Sequence, residues 1–151
     1  MTELIKNTKK RVLFLCTGNS CRSQMAEALT NYILAERWEA FSAGTQPSGS
    51  VNPLTLRALA EMGISHNGRS KSVNEFKSAS FDLVITVCDD ANENCPVWLG
   101  KGQQAHFSFL DPAESVGSED EKIEAFQATL KDIQKQIIPF LANQLDENKI
   151  K

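Results

Sequence analysis

No apolar run in this 151-residue chain is long enough to span a bilayer, and residues 1–10 lack the apolar core of a secretion signal. The expectation is a cytoplasmic protein without membrane contact, in a compartment where thiols stay mostly reduced. An excess of positive charge is also lacking. The net charge of −3 and the lack of any basic cluster leave no electrostatic case for nucleic acid. Histidine is nearly missing: His66 and His106 stand isolated, whereas a tetrahedral zinc site wants four ligands at short spacings. No metal and no other cofactor is expected, and the two histidines read as surface or satisfied residues. Repeats, low-complexity segments and linkers are absent, and the length suits one domain whose core needs no disulfide staples. In that setting the four cysteines, Cys16, Cys21, Cys88 and Cys95, belong to chemistry more readily than to scaffolding.

What is present concentrates in Cys16-Thr17-Gly18-Asn19-Ser20-Cys21-Arg22, with Ser23 next. The apolar run Val12-Leu13-Phe14-Leu15 precedes it and the helix-like stretch Ser23–Leu29 follows. A sulfur at a strand end, a short loop and an arginine opening a helix make a socket for a tetrahedral oxyanion. Helix N-termini offer unpaired N–H groups and partial positive charge. The same field favours the thiolate, the reactive form of cysteine. Arg22 adds a fixed fork of donors for two oxygens. The oxyanion-binding set is therefore Thr17, Gly18, Asn19, Ser20, Cys21 and Arg22 around Cys16. Cys21 itself reads as a small buried apolar residue inside the loop.

The pattern elsewhere is α/β. Strands are expected near Val12–Leu15, Ala40–Ser42, Leu83–Val87 and Ala105–Phe109, and helices over Arg22–Arg37, Pro53–Met62 and Glu119–Leu141. Ile123, Phe126, Leu130, Ile133 and Ile137 make one apolar stripe on the last helix, which Pro139 should end or kink. Asn52-Pro53 resembles a helix start and Gly63 the matching stop. Uninterrupted apolar strands alternating with helices argue for an open, parallel, four-stranded sheet with helices on both faces. Residues 1–10 are expected to form a loose arm, 11–145 the domain and 146–151 a frayed tail.

Ligands of such sheets bind beyond the carboxyl ends of the strands. Cys16, Cys88 and Asp111 each follow a predicted strand, so one rim should gather them. If the first and third strands are neighbours, their backbones lie about 4.8 Å apart, close enough for the two sulfurs to meet after a local movement. Cys88 and Cys95 are seven residues apart, a rise of about 10.5 Å on a helix. A disulfide needs Cα atoms within roughly 4.4–6.8 Å, so the segment can be bridged only if it loops out, which makes it a candidate redox switch. Asp89-Asp90 reads as a solvated turn. Asp111, before Pro112, suits a turn as well as a proton donor.

From Val12 to Leu141 the chain resembles the low-molecular-weight tyrosine phosphatase superfamily, and within it the thioredoxin-coupled arsenate reductases. The likeness rests on Cys16–Ser23, the Cys88/Cys95 pair and Phe109-Leu110-Asp111-Pro112-Ala113. The resemblance implies a low-molecular-weight phosphatase-like fold and reduction of arsenate to arsenite for detoxification. Cys16 would attack arsenic while Arg22 and the loop amides hold the oxygens, Ser23 would stabilise the thiolate, and Asp111 would act as general acid. Cys88 and then Cys95 would carry the oxidation outward, leaving a Cys88–Cys95 disulfide for thioredoxin, working on a monomer. Phosphate or sulfate could occupy the arsenate site.

Two departures stand out. Some relatives bind potassium through an asparagine, a glutamate, a serine and an aspartate; Asn19, Glu27 and Ser42 match, but the fourth position falls near Ser72. The phosphatases carry tyrosines after Asp-Pro, where this chain has Ala113 and Glu114. Two other functions remain open: a phosphatase using Cys16, Arg22 and Asp111, and a redox sensor switching on Cys88/Cys95.

Overall fold

The computed structural model describes residues 9–89 and 97–150, of which 145–150 by backbone alone. The elements run β1 (Lys10–Cys16), α1 (Arg22–Ile33), β2 (Trp38–Gly44), α2 (Pro53–Glu61), β3 (Leu83–Thr86), β4 (Gln103–His106) and α3 (Glu119–Ile150). Two short 3-10 helices, Val73–Phe76 and Pro112–Glu114, lie between them. The four strands form one parallel sheet in the order β2-β1-β3-β4, so β1 and β3 are neighbours, with Leu15 paired to Thr86. Among the described residues no helix is long and apolar enough to cross a membrane.

Strand β1 is central and apolar because both of its faces are covered. Val12, Phe14 and Cys16 join the cluster under the three α-helices, with Met25 and Leu29 of α1, Leu59 of α2 and Phe126 of α3. Leu13 and Leu15 point the other way, into a cluster with Phe81, Val84 and Trp98 that the 3-10 helix Val73–Phe76 helps close. On that second face Phe41, Phe76 and Phe81 meet edge to face, with Arg11 stacked over Phe41 and Phe81. The outer strand β4 is short and led by Gln103 and Gln104, which limits pairing with another chain along that edge.

Several boundaries differ from expectation. Lys10 is already in β1, while residues 1–8 of the expected arm lie outside the described residues. Helix α1 stops at Ile33 rather than Arg37, because the amides of Arg37 and Trp38 turn back to the Leu34 carbonyl and feed β2. Strand β4 begins and ends earlier than Ala105–Phe109. Phe107 makes one last bond to the Thr86 carbonyl, and past the end of β3 no ladder remains; Phe107 packs on Phe140 instead. The ends of α2 are as read. Asn52 Oδ1 accepts from the Leu54 amide at 2.9 Å, and beyond Glu61 Gly63 adopts φ +84° while the Gly63 and Ile64 amides bond Ala60 and Leu59.

Helix α3 does not end where expected: it runs through Pro139 to Ile150. Proline lacks the N–H that would bond the carbonyl four residues back. Here both Pro139 and Lys135 are exposed, so water can serve that carbonyl. The buried stripe continues from Ile137 to Leu141, whose carbonyl accepts from Trp38 Nε1, and this packing holds the helix across the break. Burial of the stripe carries the helix past the proline. Replacing Ile133, which is fully buried, by alanine is expected to cost about 2–5 kcal/mol in urea unfolding. Pro139→Ala should cost nothing; a loss below about 1 kcal/mol for Ile133→Ala would show that the stripe does not carry the packing.

Candidate active site

The Cys16–Arg22 loop connects the end of β1 to the start of α1, and its carbonyls face the scaffold. The Thr17 carbonyl accepts from the Gln46 amide, Gly18 from the Ser48 amide and Ser70 Oγ, Asn19 from Gln24 Nε2, and Ser20 from the Asn52 amide and Thr55 Oγ1. A trans peptide points its N–H opposite to its C=O. Four outward carbonyls therefore turn the amides of residues 18–21 inward. The first turn of α1 holds no acidic residue, and its N-cap, Cys21, makes no side-chain cap. A glycine is required beside the loop: a Cβ on Gly44 would lie 2.3 Å from the Thr17 carbonyl oxygen.

Asn19 is the pivot. It is fully buried and, among the described residues, the one non-glycine residue with positive φ, at 52°. Its Oδ1 accepts from Gln24 Nε2 and from the Lys71 amide, and its Nδ2 donates to Ser23 Oγ at 2.8 Å. Ser23 Oγ lies 2.9 Å from Cys16 Sγ. Because Asn19 already donates to the Ser23 oxygen, the hydroxyl proton of Ser23 is left to point at the sulfur. The Asn19 amide is also directed at Cys16 Sγ, at 3.3 Å. Two donors thus converge on the sulfur.

Arg22 is buried at 3 % exposure, its Nη1 donating to the Phe109 carbonyl and its Nη2 3.6 Å from Asp111 Oδ2. Asp111 also caps the 3-10 helix Pro112–Glu114 by accepting from the Ala113 amide, so it is at once a turn residue and a carboxyl held at the site. Ala113 and Glu114 stand exposed beside it and supply no aromatic wall. Cys21 is buried, and loss of hydration pushes its thiol up to about 11, which keeps it protonated at neutral pH.

Cys88 lies two residues beyond β3, fully buried in the same cluster as Cys16, and the Val87 amide bonds the Leu15 carbonyl. It is disulfide-bonded, whereas Cys16 and Cys21 are free. Cys95, and with it the conformation expected between Cys88 and Cys95, lies outside the described residues, as does Asp90. Asp89 departs from the solvated turn expected of it: it is buried and accepts from Ser108 Oγ.

Three functional neighbours were not legible in the sequence. Gln24 is fully buried and ties Asn19 to the Arg69 carbonyl, while its Oε1 faces His66 Nε2 at 2.8 Å. His66 is thus a satisfied side chain, and burial lowers its pKa. The place expected near Ser72 in a cation site is occupied by Lys71, whose Nζ lies 3.7 Å from Glu27 Oε1 and 3.4 Å from Ser42 Oγ. Lys71 is 52 residues from Asn19 and His66 42 from Gln24, so no local spacing announces either of them. Among the described residues no three His, Cys, Asp or Glu side chains are grouped to hold a metal.

The two free thiols should separate by reactivity. At pH 7.5 iodoacetamide is expected to label Cys16 at least tenfold faster than Cys21, read by peptide mass spectrometry (roughly, from the small thiolate fraction of a thiol near 11). Equal labelling would contradict the assignment.

A model of the low molecular weight phosphotyrosine protein phosphatases matches residues 11–151. An arsenate reductase of Oceanobacillus iheyensis is 41 % identical over 121 residues, covering 80 % of this chain and 86 % of that protein. The crystal structure of an arsenate reductase from Archaeoglobus fulgidus superposes with TM-score 0.67 at 31 % identity, covering 82 % of this chain and 96 % of that one. A thioredoxin-dependent arsenate reductase of Corynebacterium glutamicum gives 0.59 at 27 %, over 90 % of this chain and 65 % of that one. With its sheet order, its cysteine loop and a match across nearly its whole length, the chain belongs to the low molecular weight phosphotyrosine protein phosphatase family.

Proposed function

We propose that this protein reduces arsenate to arsenite with three thiols and that thioredoxin restores them. The observation that carries the reading is the state of the cysteines: Cys88 is in a disulfide while Cys16, beside it in the core, is free. A phosphatase needs no second sulfur there. A relay needs one, and its resting oxidised form has the nucleophile already released.

In the first step the Cys16 thiolate attacks As(V), with Arg22 and the amides of residues 18–21 on the oxygens. Asp111 gives a proton to the departing oxygen, which leaves as water. Cys88, as thiolate, then attacks Cys16 Sγ. The sulfur–sulfur bond forms as the sulfur–arsenic bond breaks, and its electron pair stays on arsenic, which departs as arsenite. Cys95 attacks Cys88, freeing the Cys16 thiolate and leaving Cys88–Cys95. Two thiols have lost two electrons and arsenic has gained them. The dithiol of thioredoxin reverses the disulfide by the same exchange chemistry. The relatives named arsenate reductase and the thioredoxin-dependent structural neighbour support this assignment. The setting that suits it is the cytoplasm, with the protein acting as a monomer.

The family itself favours a second reading, a phosphatase in which water hydrolyses a Cys16 phospho-enzyme. It would use the same Cys16, Arg22 and Asp111. The missing aromatic wall at Ala113 and Glu114 argues against phosphotyrosine. A coupled assay with arsenate, thioredoxin, thioredoxin reductase and NADPH is expected to show steady NADPH oxidation. Replacing thioredoxin by glutathione and glutaredoxin should not sustain it. Cys88→Ser is expected to bring multiple-turnover arsenate reduction to background while cleavage of a phosphate ester by Cys16 persists. Undiminished arsenate turnover in that variant would overturn the relay, and no NADPH oxidation by the unaltered protein would favour a redox sensor.

A further inference from the structure

Beneath the loop, a lysine and a glutamate are packed together away from water. Lys71 and Glu27 side chains are 11 % and 16 % exposed, and the Lys71 ammonium donates to the Arg69 carbonyl at 3.0 Å and to Ser42 Oγ at 3.4 Å. Ser42 Oγ in turn donates to Glu27 Oε1. Taking two charges out of water is costly, and such pairs often fail to repay it in stability. Burial accordingly draws the Lys71 pKa down while Glu27 pulls it up.

The position of this pair suggests what it does. Glu27 is on α1, Ser42 on β2, and Lys71 ends a stretch, residues 69–71, that has no regular structure of its own. Each of those three residues supports the cysteine loop. The Arg69 carbonyl accepts from Gln24, Ser70 Oγ donates to the Gly18 carbonyl, and the Lys71 amide donates to Asn19 Oδ1. The Lys71 carbonyl accepts from Gly44, the glycine that lies against Thr17. Asn19 holds a left-handed conformation, which asparagine tolerates better than most non-glycine residues, and its side chain is fixed by Gln24 and the Lys71 amide. The stretch supplying that constraint is tied to α1 by Gln24 and to β2 by the Gly44 amide, and the Lys71 ammonium adds a further tie to Glu27 and Ser42.

We propose that Lys71 is a positioning residue for the Cys16 reaction: its ammonium, clamped by Glu27 and Ser42, holds residues 69–71 against Asn19 and so keeps the loop amides aimed at the oxyanion. It touches neither the substrate nor the sulfur. The proposal rests on the reading of the loop as an oxyanion socket, and the experiment separates the two.

Inorganic phosphate is the probe, its affinity read from protection of Cys16 against iodoacetamide, alongside kcat and KM for arsenate and the Tm. The unaltered protein should be protected. Lys71→Met keeps the stem and removes the charge; it is expected to weaken phosphate about tenfold and to raise KM by a similar factor (about the loss of one hydrogen bond to a charged group), with kcat changed far less. Lys71→Arg should recover most of that loss. Glu27→Gln added to Lys71→Met removes the stranded carboxylate and should restore the Tm but not the phosphate affinity. Phosphate affinity equal to that of the unaltered protein in Lys71→Met would overturn the proposal, as would recovery of affinity together with Tm in the double variant. If phosphate fails to protect even the unaltered protein, the oxyanion socket itself falls.

Discussion

The outward fastening of the loop carbonyls is the constraint on which the rest of this structure depends. Thr17, Gly18, Asn19 and Ser20 each have their carbonyl oxygen hydrogen-bonded by the scaffold, from Gln46, Ser48, Ser70, Gln24, Asn52 and Thr55. The inward direction of the amides follows from peptide planarity, without any interaction inside the socket. An anion bound there, as proposed, would meet dipoles already oriented and spend none of its binding energy on arranging them. The fold serves this arrangement. The central position of β1 fixes one end of the loop, the packing of α1 against β2 and α3 fixes the other, and Gly44 leaves room for Thr17.

Electrostatics then divide the labour among the sulfurs. Cys16 receives the Ser23 hydroxyl and the Asn19 amide, and stands where the uncapped helix begins. Cys21, a few residues on, is kept protonated by burial among neighbours that include Asp111. Two cysteines in one loop thus have different surroundings. The parallel register of β1 and β3 brings Cys88 to the rim that carries Cys16, and the third strand needs only four residues to do it.

Much of this could be read in advance. The loop was legible because its chemistry is local: a strand, a cysteine, an arginine and a helix start within a dozen residues. The ends of α2 were legible for the same reason, since Asn52, Pro53 and Gly63 act on their own backbone. The stripe of α3 was plain, but its continuation past Pro139 depended on Leu141 and Trp38 meeting in space. Lys71 and His66 were hidden because each reaches the site through the fold. A lysine after a serine has no period or spacing that marks it, and the bridge of Gly44 to Ser72 at the end of β2 brings Ser42 within reach of its ammonium.

The central claim is that the sulfur at position 88 takes the oxidation directly from the sulfur at position 16. The most direct measurement is a single turnover of a fully reduced Cys95→Ser variant with one equivalent of arsenate, quenched in acid and mapped by peptide mass spectrometry. The account predicts a Cys16–Cys88 disulfide formed in step with arsenite release. Arsenite released while both cysteines remain as thiols, or a disulfide that excludes Cys88, would contradict it.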